Sequence, residues 1–128
     1  MKYYIEKITD YTFDEAVDKV TEELKKEGYG VLTQIDIHEK LKEKLDVNFR
    51  KYRILGACNP PAAYKALQAE DKIGTMLPCN VIVQETSDNR VEVAAVNPAA
   101  SMMAVENPAL EAVAADITNR LKRVIAAL

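Results

Sequence analysis

Two apolar, β-branched segments, Asn80–Thr86 and Arg90–Val96, stand on either side of Ser87-Asp88-Asn89. Three small polar residues between two strand-like runs read as a hairpin turn. A turn this short leaves its flanking strands only an antiparallel pairing. Such a pair needs further layers to bury one face. The end of the chain supplies one. Leu110, Val113, Ala114, Ile117, Leu121, Val124, Ile125 and Leu128 recur at helical spacing and form one apolar stripe. Asn107-Pro108 reads as a cap followed by a proline in the first turn. Lys122 and Arg123 suit the negative end of that helix's dipole.

The other elements follow by the same logic. Lys2–Thr9 alternates and is aromatic and β-branched, which predicts a strand. Thr12 and Glu15 have capping-box spacing ahead of Phe13, Ala16, Val17, Val20 and Leu24, and Gly28 suits the residue after the helix. Val31, Thr33, Ile35 and Ile37 alternate as in a half-buried strand. His38–Asp46 predicts a short exposed helix packed by Leu41 and Leu45. Val47–Ala57 reads as a long strand. Asn59-Pro60 opens a helix that runs to about Glu70. Asp71–Pro78 and the Ala- and Met-rich Asn97–Glu106 are connectors. The predicted order is β-α-β-α-β-α-β-β-α. The expected fold is a single α+β domain over residues 1–128, with a five-stranded antiparallel or mixed sheet and helices mainly on one face.

Composition narrows the function classes. The chain has 128 residues, enough for one core without staples. Its net charge is −3, so there is no basic excess to neutralise phosphates, and nucleic acid is not expected as a partner. No apolar run reaches the ~18 residues that span a bilayer, and no membrane partner is expected. The charged N-terminus, Met1–Lys7, lacks the apolar core of a signal peptide, so the expected compartment is the cytoplasm. The two cysteines are expected to be free thiols there.

Those cysteines sit in similar settings, Gly56-Ala57-Cys58-Asn59-Pro60-Pro61 and Leu77-Pro78-Cys79-Asn80. The first ends a strand and opens a helix; the second opens the next strand. Antiparallel neighbours would bring Cys58 and Cys79 to one sheet end, joined by the Asn97-Pro98 turn. Strand ends beside helix N-termini attract anions and polarise thiols, which makes Cys58 the candidate nucleophile. Burial is the competing account. Free Cys is among the most buried residue types, and Cys79 shares a strand face with Val81 and Val83. A soft metal is a further possibility: two thiolates with a thioether from Met76, Met102 or Met103 would suit Cu(I), and Cys or Met ligates haem. No CxxC, CxxCH or HxxxH spacing accompanies them. The chain has no P-loop, no Gly-x-Gly-x-x-Gly and no Gly-x-Ser-x-Gly. Its carboxylates alternate with lysines, as on solvated helix faces.

The three blocks Leu55-Gly56-Ala57-Cys58-Asn59-Pro60, Leu77-Pro78-Cys79-Asn80-Val81 and Val96-Asn97-Pro98 resemble, in kind and spacing, the family called domain of unknown function 302. The resemblance covers nearly the whole chain. It implies a small α+β domain with an antiparallel-type sheet, and homodimers. It marks Cys58, Asn59, Pro60, Pro78, Cys79, Asn80, Asn97 and Pro98 as pattern positions. The family often carries aspartate where this chain has Asn97, and the amide removes the charge an acid/base role would use. The resemblance implies no settled activity.

Three functions are therefore expected to compete. The first is a non-catalytic module holding a small ligand, haem or soft metal, with Cys58, Asn59, Pro60, Cys79, Asn80, Asn97 and Met102 about the pocket and Cys58 and Cys79 as candidate metal ligands. The second is a thiol enzyme or sulfur carrier with Cys58 as nucleophile. The third is an interaction scaffold whose cysteines and asparagines only shape turns and caps.

Overall fold

The structure is a computed structural model describing residues 1–128. Five strands form the sheet: β1 (Tyr4–Thr9), β2 (Gly30–Asp36), β3 (Tyr52–Cys58), β4 (Cys79–Glu85) and β5 (Val91–Val96). Five helices accompany them: α1 (Phe13–Lys26), α2 (Ile37–Leu45), α3 (Pro60–Ala69), the single turn α4 (Pro98–Ser101) and α5 (Glu111–Ala126). Short 3-10 turns cover Asp71–Met76, Met102–Val105 and Pro108–Leu110. The strand order is β1-β5-β4-β3-β2, and every pairing is antiparallel. The sheet is thus antiparallel, not mixed.

The strand alternation decides where the core lies. Leu55 and Ala57 of β3, Val81 and Val83 of β4, and Val91, Val93 and Ala95 of β5 are buried on one sheet face. α1 covers that face with Phe13, Ala16, Val17, Val20 and Leu24, and α5 with Ile117, Leu121, Val124 and Ile125. Val20, Leu24 and Leu121 are wholly enclosed, and each such side chain stabilises the fold by ~1.5–3 kcal/mol. Both termini of α1 are set by the predicted residues. The Glu15 amide donates to Thr12 Oγ1 (3.2 Å), and the Thr12 amide donates to Glu15 Oε1 (2.9 Å). Gly28 follows the last turn at φ +84°, a conformation that an L side chain rarely adopts.

Four expectations change. β2 is a sheet edge, and most of it is exposed instead of half-buried. α2 has no fully buried residue: Leu41 is half-buried, but Leu45 is 66% exposed and does not pack it. The cause is shared: β2 has β3 on one side only, and the helical layer lies towards the other strands. β3 begins at Tyr52, not Val47, because the Lys51 carbonyl takes the last ladder bond, from Glu85 N (3.0 Å). The Asn97–Glu106 connector is also more ordered than expected, as α4 and a 3-10 turn. No helix is long and apolar enough to cross a membrane.

Gly56 is held by close approach. A Cβ there would lie 2.2 Å from Thr33 Oγ1 and 2.8 Å from Pro78 Cγ. Both neighbours are anchored near their own backbones, so the clash is not absorbed by a flexible tip. Gly56→Ala is expected to destabilise the fold by about 1–3 kcal/mol, read as a lower urea midpoint at unchanged m-value. An unchanged midpoint would refute the packing account.

Candidate functional site

β3 ends at Cys58 and the chain turns straight into α3. Asn59 makes that turn: its Oδ1 accepts from the Ala62 amide (3.2 Å), while Pro60 and Pro61 occupy first-turn positions that need no N–H. β4 starts opposite, with Cys79 paired to Ala57. Cys58 is one residue out of that register, and it lines the same space as Cys79 because the strand ends there. α3 crosses this end on its alanine face, with Ala62 and Ala66 buried. α5 brings Ile117, the turn after α4 brings Met102, and Tyr29 closes the side.

Together these groups enclose a cavity of about 20 Å³, room for roughly one water. Eleven of its twelve lining residues are apolar, so it offers sulfur and little else. Asn59 is the polar exception, and both ends of its amide are engaged: Nδ2 donates to the Glu27 carbonyl (3.2 Å). Cys58 is half-buried and Cys79 buried, and both are free thiols. Burial, with the neighbouring Cys58 acting in the same sense, pushes the Cys79 thiol from its ordinary 9.0 up to about 11. The Tyr29 hydroxyl opposes this slightly. Tyr29 itself is pushed far above the usual phenol value by burial, and its hydroxyl also donates to the Ile117 carbonyl (3.5 Å). Cys79 is thus a neutral thiol at neutral pH.

The predicted residues separate into two groups. Cys58, Asn59, Cys79 and Met102 meet at the cavity. Asn80 does not: it follows Cys79 on the same strand, so it points to the opposite sheet face and is exposed. Asn97 does not join them either. Its Nδ2 donates to the Lys2 carbonyl (3.0 Å) and its Oδ1 accepts from Thr118 Oγ1 (3.4 Å), tying the N-terminal strand to α5. Pro60 is exposed at the first position of α3, and Pro78 packs beside Gly56. Met76 and Met103 are exposed and outside the cavity. No three His, Cys, Asp or Glu side chains cluster to hold a metal, so any ion here would take its third donor from Met102. The sequence reading missed Tyr29, Ala62, Ala66 and Ile117. The i, i+4 alanines of α3 were the available signal, since small residues let a helix approach a sheet closely.

These features define a class: a small α+β domain with one antiparallel sheet, a one-sided helical cover and a small apolar cavity lined by two cysteines at a sheet end. The family described as Domain of unknown function DUF302 matches residues 5–128, and the chain belongs to that family. It is also similar to a solved structure, the crystal structure of an uncharacterized conserved DUF302 protein from Bacillus stearothermophilus. The two are 30% identical over 99% of this chain and 98% of that one, with a TM-score of 0.92. No curated protein matches the chain.

The raised Cys79 value fixes a pH dependence. A thiol whose folded pKa lies above its unfolded one contributes stability that is fully present below pH 9 and lost as pH rises towards about 11. At ~1.4 kcal/mol per unit the loss is about 2–3 kcal/mol. Urea unfolding at pH 8, 9.5 and 11 is expected to show a smaller alkaline loss in Cys79→Ala than in wild type. Parallel pH curves would show that Cys79 is not desolvated.

Proposed function

We propose that this chain is a non-catalytic module holding one small, soft species between Cys58 and Cys79, with Met102 as third donor. The observation that carries this is the cavity: Cys58, Cys79 and Met102 are among the residues lining one apolar space of about 20 Å³. Sulfur donors without carboxylates or imidazoles select soft, monovalent ions such as Cu(I) over hard ones. The volume fits a single ion. Haem or an organic metabolite would need α3 and α5 to move off the sheet. The alternative, a thiol enzyme or sulfur carrier, rests on Cys58 alone, because burial keeps Cys79 protonated. Two free cysteines fit a reducing cytoplasm. Anaerobic titration of the reduced protein with Cu(I) against a chromogenic chelator is expected to give one ion per chain. Cys58→Ser and Cys79→Ser should each weaken it by roughly 10–100-fold or more, and Met102→Leu by less. No competition with the chelator would end this reading; a persulfide mass on Cys58 of the purified protein would favour the carrier.

A second proposal concerns the partner, which we take to be a second copy bound at the uncovered sheet face. That face presents Ile54 and Ile82 with Ile8 (47% exposed) and Ile35 (42% exposed), around a groove of about 430 Å³ lined by Tyr4, Tyr52 and Ala94. Five strands ~4.8 Å apart and ~20 Å long give a face of roughly 480 Å², so two copies bury on the order of 1,000 Å², the lower bound of a specific interface. The charges fit a two-fold axis along the central strand β4. A row crosses one end of the face: Arg50 Nε donates to Gln84 Oε1 (2.8 Å), and Gln84 Nε2 donates to Glu92 Oε1 (2.9 Å). The axis exchanges the flanking strands and sets Arg50 over the partner's Glu92. In one protomer, burial and the nearby Glu6 hold the Glu92 carboxyl above its usual range despite the Gln84 bond. Light scattering is expected to give twice the 14.3 kDa chain mass for wild type and the single mass for Ile82→Glu. A monomeric wild type at tens of micromolar would rule the dimer out.

A further inference from the structure

We propose that the soft species reaches Cys58 on a small organic anion, recognised in the cleft between α3 and α5; this rests on the thiol-site reading above. The cleft holds about 400 Å³, within the size range of small-molecule sites. Asn59, Ala62 and Val113 line both the cleft and the thiol cavity, so the two spaces share one thin wall. Ala62 offers that wall only a methyl group, and Cys58 directly precedes Asn59 in the turn that frames it.

The charge of the cleft selects the ligand's sign. Lys65 on α3 is exposed and enters none of the ion pairs of the chain. On α5, Arg120 Nε is bound by Asp116 (3.2 Å to Oδ2), while its Nη1 donates to the Glu27 carbonyl (3.1 Å). The Glu27 carboxylate, at the end of α1, is held by Arg123 Nη2 (2.8 Å). Two cations against the one remaining carboxylate leave the cleft with about one positive charge, on Lys65. The matching ligand carries a carboxylate at one end and a soft atom at the other, as a thiol carboxylate does. Its carboxylate pairs with Lys65 and its soft end points past Ala62 towards Cys58. No covalent step is involved; the cleft selects and orients the ligand.

Alkylation of Cys58 tests this without any metal. Iodoacetate carries the carboxylate and iodoacetamide is its neutral counterpart, so the ratio of their rates isolates charge selection from thiol reactivity. In the reduced full chain, with modification mapped to Cys58 by mass, Lys65→Gln is expected to lower the iodoacetate-to-iodoacetamide ratio by about 3–10-fold at low ionic strength. That difference should shrink at ~0.5 M salt. Lys44→Gln, an equal charge change on the exposed α2, should leave the ratio at the wild-type value. A ratio indifferent to Lys65, or lowered equally by both variants, overturns the proposal. So does failure of both reagents to modify Cys58 in the native protein, since no route then connects cleft and thiol. A failed Cu(I) titration with a Lys65-dependent ratio would instead discard the ion and keep the cleft.

Discussion

One backbone oxygen, the Glu27 carbonyl at the end of α1, holds the roof of the thiol cavity together. It accepts from Asn59 Nδ2 (3.2 Å) and from Arg120 Nη1 (3.1 Å), so the end of α1, the start of α3 and the middle of α5 meet on one acceptor. The Glu27 side chain adds a two-pronged bond from Arg123 Nε (3.0 Å) and Nη2 (2.8 Å). Each neutral bond contributes only ~1 kcal/mol net, but a buried donor left unpaired costs about 1–3 kcal/mol. The Asn59 amide is such a donor, and no buried side-chain nitrogen or oxygen in the chain lacks a partner. Satisfying Asn59 completely also removes the only side-chain amide that could have competed with sulfur inside the cavity.

Local signals carried most of the fold. The Thr12–Glu15 box, the Asn-Pro caps and the stripe from Leu110 to Leu128 each act within a few residues, so they read the same in the chain as in the fold. The 3-10 turn at Pro108–Leu110 shows the usual softness of a helix start, with Asn107 Oδ1 accepting from Ala109 N (3.0 Å). β2 and α2 were less legible, because their exposure depends on which strands the helical layer reaches. Leu41 and Leu45 have the spacing of a buried pair, but only Leu41 is half-buried and Leu45 is left in solvent.

The site was legible only as far as strand register goes. Antiparallel pairing puts Ala57 beside Cys79, and Cys58 reaches the same cavity only because the chain leaves β3 there for α3. The same two-residue period sends Asn80 to the other face, although it stands next to Cys79 in the chain. Asn97 looked like a member because it stands in a similar dipeptide, yet its bonds to Lys2 and Thr118 close the fold elsewhere. The size of the cavity had no local signature. It follows from how closely α3 approaches the sheet, which Ala62 and Ala66 permit. Gly56, Thr33 and Pro78 show that part of the motif pattern serves packing on the outer side of the same strand end.

The dryness of the cavity limits the charge it can hold. A buried unpaired charge is far more costly than a buried neutral group, and it is this penalty that keeps the Cys79 thiol protonated. The same low polarity strengthens attraction between a thiolate and a cation once both are inside. A monovalent cation with one thiolate, one thiol and one thioether is neutral overall. A divalent cation on the same donors leaves a net positive charge unless Cys79 also ionises. Two thiolates around a monovalent ion leave a negative charge with no lysine or arginine in the lining to offset it. Under the proposed soft-ion reading, this charge balance points to a monovalent ion with a single thiolate, Cys79 and Met102 serving as neutral sulfur donors.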